Sequence, residues 1–144
     1  MRDEILQQLG DALERLGKSL AKEYGDSLIC LSPALDHAVL VLGSEGEMNI
    51  KQLAQYLMVT PGAVTQQIVQ LESEGIVGRT PNPQDRRETF VQLTIKGQAI
   101  YEKIRGNQQQ VLADGFADLE ENELEQLVSL ITKSSKRYDK GNKE

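Results

Sequence analysis

Arg86 and Arg87 stand side by side in the segment PNPQDRRET, which otherwise consists mostly of turn-forming and polar residues. Two permanently charged guanidinium groups, each a rigid fork of donors, suit binding of phosphate or carboxylate oxygens. Upstream, Thr65, Gln66, Gln67 and Gln70 gather neutral groups that both donate and accept hydrogen bonds. Neither set supplies a nucleophile paired with a base, and no phosphate-cradling glycine loop occurs. The chemistry on offer is recognition, and no enzymatic activity is expected. A lone Cys30 excludes an internal disulfide and a cysteine metal cage, and a lone His37 gives no histidine metal site, so neither metal nor cofactor is expected.

Charge distribution narrows the partner. The chain of 144 residues carries a formal net charge of −6, which by itself speaks against nucleic acid. The acid is unevenly spread. Residues 1–75 hold five Lys/Arg against eleven Asp/Glu, and residues 106–144 hold five against eight. Residues 76–105 reverse the sign, with Arg79, Arg86, Arg87, Lys96, Lys103 and Arg105 against Asp85, Glu88 and Glu102. Such a chain would meet double-stranded DNA through few phosphates, all near one segment.

Elements must hold these groups in place. Ser32 before Pro33 predicts a helix start, as does Thr60 before Pro61, because a hydroxyl cap precedes a ring already at helical φ. Asn49 is a third cap. The first of these helices buries Leu35, Ala38, Val39 and Leu42 and is expected to close at Gly43. The next buries Ile50, Leu53, Ala54 and Leu57, and the third buries Val64, Ile68 and Leu71 and stops at Gly75. Strands are predicted over 77–80 and 88–93, joined by a turn over 81–85. At 100° per residue, Gly62, Ala63, Gln66, Val69, Gln70 and Ser73 point away from the third helix's apolar face, with Thr65 and Gln67 on its flanks.

That face has no cation. It can read base edges, with glutamine for an adenine edge and a threonine methyl for a thymine methyl, but it needs the neighbouring arginines for grip. Small residues at its first turn, Gly62 and Ala63, permit close approach. The expected DNA contacts are therefore Thr60, Gly62, Ala63, Thr65, Gln66, Gln67, Gln70, Arg79, Arg86 and Arg87. One hairpin arginine would enter the minor groove and the other would meet phosphate, while Asp85 holds an arginine through a paired carboxylate. Glu72 and Glu74 read as ordinary solvated positions.

Two amphipathic helices flank this centre. Ile5, Leu9, Leu13, Leu16 and Leu20 stripe residues 3–23; Leu124, Leu127, Val128 and Ile131 stripe the last helix, for which Asp118 and Glu121 form an expected capping box. A frayed tail is expected from Lys136. A helix-turn-helix with a hairpin leaves neither stripe an obvious partner, and wetting them forfeits roughly 1.5–3 kcal/mol per large side chain. A second copy of the chain is the expected cover. The longest apolar run, residues 38–42, cannot span a bilayer, and the amino terminus lacks a signal core, so a cytoplasmic protein with no membrane partner is expected.

The run VTPGAVTQQIVQLESEGIVGR over residues 59–79, followed by TPNPQDRRETFVQLTIKG, resembles the MarR family of bacterial transcription regulators. The wing pattern of an Asp, an Arg two on, then Val-x-Leu-Thr-x-x-Gly is matched by Asp85, Arg87, Val91, Leu93, Thr94 and Gly97. The resemblance implies a mainly α fold with a small β-wing. A winged helix-turn-helix core over 31–97 would lie between dimerisation helices at 1–30 and 98–140 of one 1–144 domain. It also implies a homodimer on a pseudo-palindromic operator and a repressor relieved by a small aromatic ligand or an oxidant, with Cys30 the residue an oxidant would meet. Many relatives carry a basic residue where this chain has Gln66, which points to a site that is either bound more weakly or richer in A·T pairs. A different class, a winged-helix protein-interaction module without specific DNA binding, fits the acidic surface and would show no salt-sensitive affinity for duplex.

Overall fold

A hydroxyl cap and a proline set the first turn of the central helices. In the computed structural model, which describes residues 1–139 (without the side chains of residues 26 and 27), Ser32 Oγ accepts the Leu35 N–H at 3.2 Å and Thr60 Oγ1 accepts the Ala63 N–H at 3.2 Å. Asn49 and Gln52 form a reciprocal capping box. The elements run α1 (Arg2–Tyr24), a 3₁₀ turn (Gly25–Leu28), α2 (Pro33–Glu45), β1 (Met48–Asn49), α3 (Ile50–Leu57) and α4 (Pro61–Ser73). Then come β2 (Val77–Asn82), β3 (Asp85–Leu93), α5 (Ile95–Gly115) and α6 (Glu121–Asp139). The chain forms two compact units that divide within α5, after Gln109.

The first unit is built around the apolar faces of α2, α3 and α4, closed by a three-stranded antiparallel sheet of order β1-β3-β2. Val39, Leu53, Val64, Ile68 and Leu71 are fully buried, as the periodicities demand, and Val91 and Ile76 are buried with them. Strand β1 is a third strand that the sequence does not announce. It consists of Met48 and Asn49 paired with Val91 and Phe90, too short to carry a strand signal of its own.

Several boundaries differ from expectation. α2 does not close at Gly43; it continues to Glu45, and Gly46 ends it at φ 87°. Gly43 serves another purpose, since a Cβ there would lie 2.1 Å from the Tyr101 ring of α5. The β-strands run on through most of the expected 81–85 turn, leaving Pro83 and Gln84 as the tip. Pro81 is tolerated in register with Thr89 because β2 is an edge strand with no ladder to donate to on its outer side. Helix α6 begins at Glu121, and it is Glu123 that bonds the Glu120 N–H at 3.1 Å, so the expected Asp118–Glu121 box does not form. The frayed tail was expected from Lys136, but α6 continues to Asp139; residues 140–144 lie outside the described part.

The turn between α3 and α4 is tight enough to force Met58 into the left-handed region, at φ 57° and ψ 41°. That conformation costs a non-glycine residue about 1–2 kcal/mol, and Met58 is 90% exposed, so its side chain buries little in return. Met58→Gly is expected to stabilise the fold by roughly 0.5–1 kcal/mol after glycine's extra unfolded-state entropy is counted. An unchanged or lower urea midpoint would contradict the strain.

Candidate nucleic-acid interface

Helix α4 turns Val64, Ile68 and Leu71 inward at 0% exposure and leaves Gly62, Thr65, Gln66, Val69 and Gln70 exposed. Ala63 and Gln67 are half-buried on the flank, and Thr60 is exposed at the cap. The exposed side chains are not equally free. Thr65 donates its hydroxyl proton to the Pro61 carbonyl at 2.9 Å, which leaves its oxygen as an acceptor. The Gln67 carbonyl oxygen is buried without a partner, so this side chain has only its NH₂ group to offer a ligand. A paired contact to an adenine edge needs donor and acceptor together. Gln66 and Gln70, both exposed, retain that pair, and Gln67 does not.

The wing has a construction that sequence alone does not reveal. Pro81 pairs with Thr89 and Asn82 with Asp85, so Arg86, Arg87 and Glu88 have no β2 residue opposite them. They form a bulge on β3, and bulges re-aim the side chains they carry. Arg86 and Arg87 are exposed on it. Among the described residues the ion pairs are Lys18–Glu14 and Arg79–Glu72, so no carboxylate neutralises either wing guanidinium. Asp85 orders the bulge differently from expectation. Its carboxylate accepts the Arg87 backbone N–H at 3.0 Å; it does not pair with a guanidinium. Glu88 holds the far end of the bulge, accepting from the side-chain amides of Asn49 and Asn82.

Arg79 sits apart from these two. Its Nε donates to Glu72 Oε2 at 3.0 Å, tying β2 to the last turn of α4. Glu72 is thus a partner and not the ordinary solvated acid expected. The pair is surface-exposed and contributes about 0–1 kcal/mol, so phosphate can compete for the guanidinium. The sequence offered no signal for this pairing, because it depends on where β2 leaves α4.

The junction behind the wing explains the Thr94–Gly97 spacing. The Thr94 N–H donates to the Ile76 carbonyl at 3.0 Å, and its hydroxyl donates to the Gly75 carbonyl at 2.6 Å and accepts the Gly97 N–H at 3.0 Å. Lys96 Nζ adds a bond to the Glu74 carbonyl at 2.7 Å. The C-terminal end of α4 and the root of both wing strands are thereby fixed to the start of α5.

Cys30 is half-buried against the core, with the Asn107 amide 3.7 Å from its sulfur. The charged group bonded to its main chain is the buried carboxylate of Asp36, which accepts the N–H groups of Cys30 and Leu31, each at 2.9 Å. Asp36, one turn into α2, was not singled out from the sequence. Its only signal was an acid placed where orphan N–H groups gather.

The model of the family described as MarR matches residues 31–89. The chain is 32% identical over 114 residues to the uncharacterized HTH-type transcriptional regulator YkoM of Bacillus subtilis, which spans 79% of this chain and 71% of that protein. It is 25% identical over 133 residues to the HTH-type transcriptional repressor MdtR of the same organism, covering 91% and 86% of the two chains. Among solved structures, a mutant MarR from E. coli complexed with operator DNA superposes with a TM-score of 0.66 at 26% identity, covering 93% of this chain and 97% of that one. Motif, fold and relatives coincide: the chain belongs to the MarR family of helix-turn-helix transcriptional regulators.

Proposed function

We propose that this regulator works as a homodimer that binds a pseudo-palindromic operator in the cytoplasm and represses transcription, with no enzymatic step. One observation carries the reading: a cation-free polar face on α4 adjoins a bulged wing with two unneutralised guanidinium groups. In this arrangement Thr60 and the N-terminal turn of α4, with Gly62 and Ala63, approach the major groove. Thr65, Gln66 and Gln70 contact base edges and Gln67 donates alone. Arg86 and Arg87 take the adjacent minor groove and phosphate, and Arg79 reaches phosphate by leaving Glu72. The operator DNA in the E. coli MarR structure supports this class of partner, and the repressor sign follows MdtR.

Dimerisation answers the wet apolar faces. On α1, Ile5, Leu6, Leu9 and Leu13 are 58, 52, 53 and 59% exposed; on α6, Val128, Leu130 and Ile131 are 64, 63 and 60% exposed. A second copy covering them recovers about 1.5–3 kcal/mol for each large side chain. It also sets two α4 helices about one duplex turn apart. A small aromatic ligand relieving repression is the effector class we assign.

Selection of duplexes from a random pool tests the whole reading, since it reports binding, half-site spacing and preferred bases together. Gln66→Ala is expected to change the preferred base at one position of each half-site, costing about 1–3 kcal/mol against the wild-type preference, while leaving the salt dependence intact. A pool that yields no enriched duplex, or no salt-sensitive affinity, would instead support a protein-interaction module.

A further inference from the structure

The wing bulge is anchored on one side by a carboxylate that the DNA reading does not use. Glu88 is half-buried, and both of its oxygens are engaged: Oε1 accepts from the Asn49 side-chain amide, and Oε2 from the Asn82 amide at 2.6 Å. Asn49 is itself the cap of α3, accepting the Gln52 N–H at 2.7 Å. Asn82 holds the hairpin tip, its side-chain oxygen accepting the Gln84 N–H at 2.9 Å. One carboxylate therefore joins the start of the helix-turn-helix to the tip of the wing. It lies next to Arg87 and inside the same bulge.

Electrostatics alone argues against an acid here. A negative charge beside two arginines that meet phosphate weakens their field, so its removal should tighten binding to any duplex. Its hydrogen bonding argues for another role. A carboxylate can accept from two amides at once, whereas glutamine has one oxygen and turns an NH₂ toward a donor. Aspartate keeps the charge but is one methylene too short to reach both partners.

We infer that Glu88 is a positioning residue for DNA binding: by tying the bulge to Asn49 and Asn82 it fixes the direction of Arg86 and Arg87 relative to α4. The inference rests on the wing reading above. Its mark is a sign opposite to the electrostatic one. Pre-organising two long side chains removes an ordering cost that binding would otherwise carry.

The test is fluorescence anisotropy with a duplex recovered by selection and a random duplex, using the full chain as Glu88→Gln, Glu88→Asp and wild type. Each variant is also made in an Arg86→Ala/Arg87→Ala background. Glu88→Gln is expected to weaken the selected duplex about tenfold while leaving the random duplex bound as tightly or more so. Glu88→Asp, with charge unchanged, should weaken the selected duplex too. Without the arginines, neither substitution should change affinity further, which a general loss of fold would not reproduce. Tighter binding of the selected duplex by Glu88→Gln overturns the inference, as does an equal loss in the arginine-free background. If removing the arginines itself leaves binding unchanged, the wing reading fails and takes this one with it.

Discussion

Gly97→Ala is expected to destabilise the protein by about 3 kcal/mol or more. A Cβ at position 97 would lie 2.0 Å from the Ile76 carbonyl oxygen, 3.1 Å from its carbon and 3.2 Å from Leu93 Cβ. The carbonyl cannot withdraw freely, because it accepts the Thr94 N–H and lies within 3.1 Å of the Thr94 hydroxyl. Two costs therefore combine, overpacking against backbone and the loss of hydrogen bonds worth about 1 kcal/mol each. In an open helix position the same change would gain about 1 kcal/mol from propensity, so the sign itself is diagnostic. Gly43→Ala is the useful comparison. Its clash is with the Tyr101 ring, a side chain that can turn, and it should cost about 1–3 kcal/mol. A urea midpoint for Gly97→Ala within error of wild type would mean that the strand–helix junction is not packed as described. Because that junction roots both wing strands, duplex affinity should fall with stability.

The contrast between these glycines shows where sequence reasoning stops. Helix starts at Ser32, Asn49 and Thr60 were legible because a cap is a local event, decided within four residues by one side-chain oxygen and one N–H. Which glycine ends α2 was not, since Gly43 and Gly46 are both competent and only the approach of Tyr101 assigns the first to packing. Strand β1 and the β3 bulge were invisible for the same reason. Each exists because a partner strand or an amide from elsewhere in the chain completes it. The site followed this division. Its residue types and spacing were readable, including the cation-free helix face and the arginine pair. The buried oxygen of Gln67 and the engagement of Arg79 by Glu72 depend on tertiary neighbours, whereas the occupied hydroxyl of Thr65 is a local event, its partner Pro61 lying four residues back on the same helix.

Arg86→Ala/Arg87→Ala should lower affinity for a selected duplex by about a hundredfold near physiological salt and make its salt dependence shallower. The size follows from where the positive charge lies. With a net charge of −6 and acid in excess both before residue 76 and after residue 105, the chain has few other cations to recruit when the wing is lost. Each phosphate contact removed reduces the slope of log affinity against log salt by about 0.9, so a dimer losing one contact per subunit should lose about two units. Arg79→Ala should do less, because its guanidinium must first leave Glu72 and its loss is already partly discounted. Gln66→Ala should leave the slope alone and move only the base preference. The three variants therefore separate grip from reading on two axes, slope and sequence ratio. A wild-type slope in the double arginine variant would place the phosphate contacts outside the wing and remove the physical basis for assigning it to DNA.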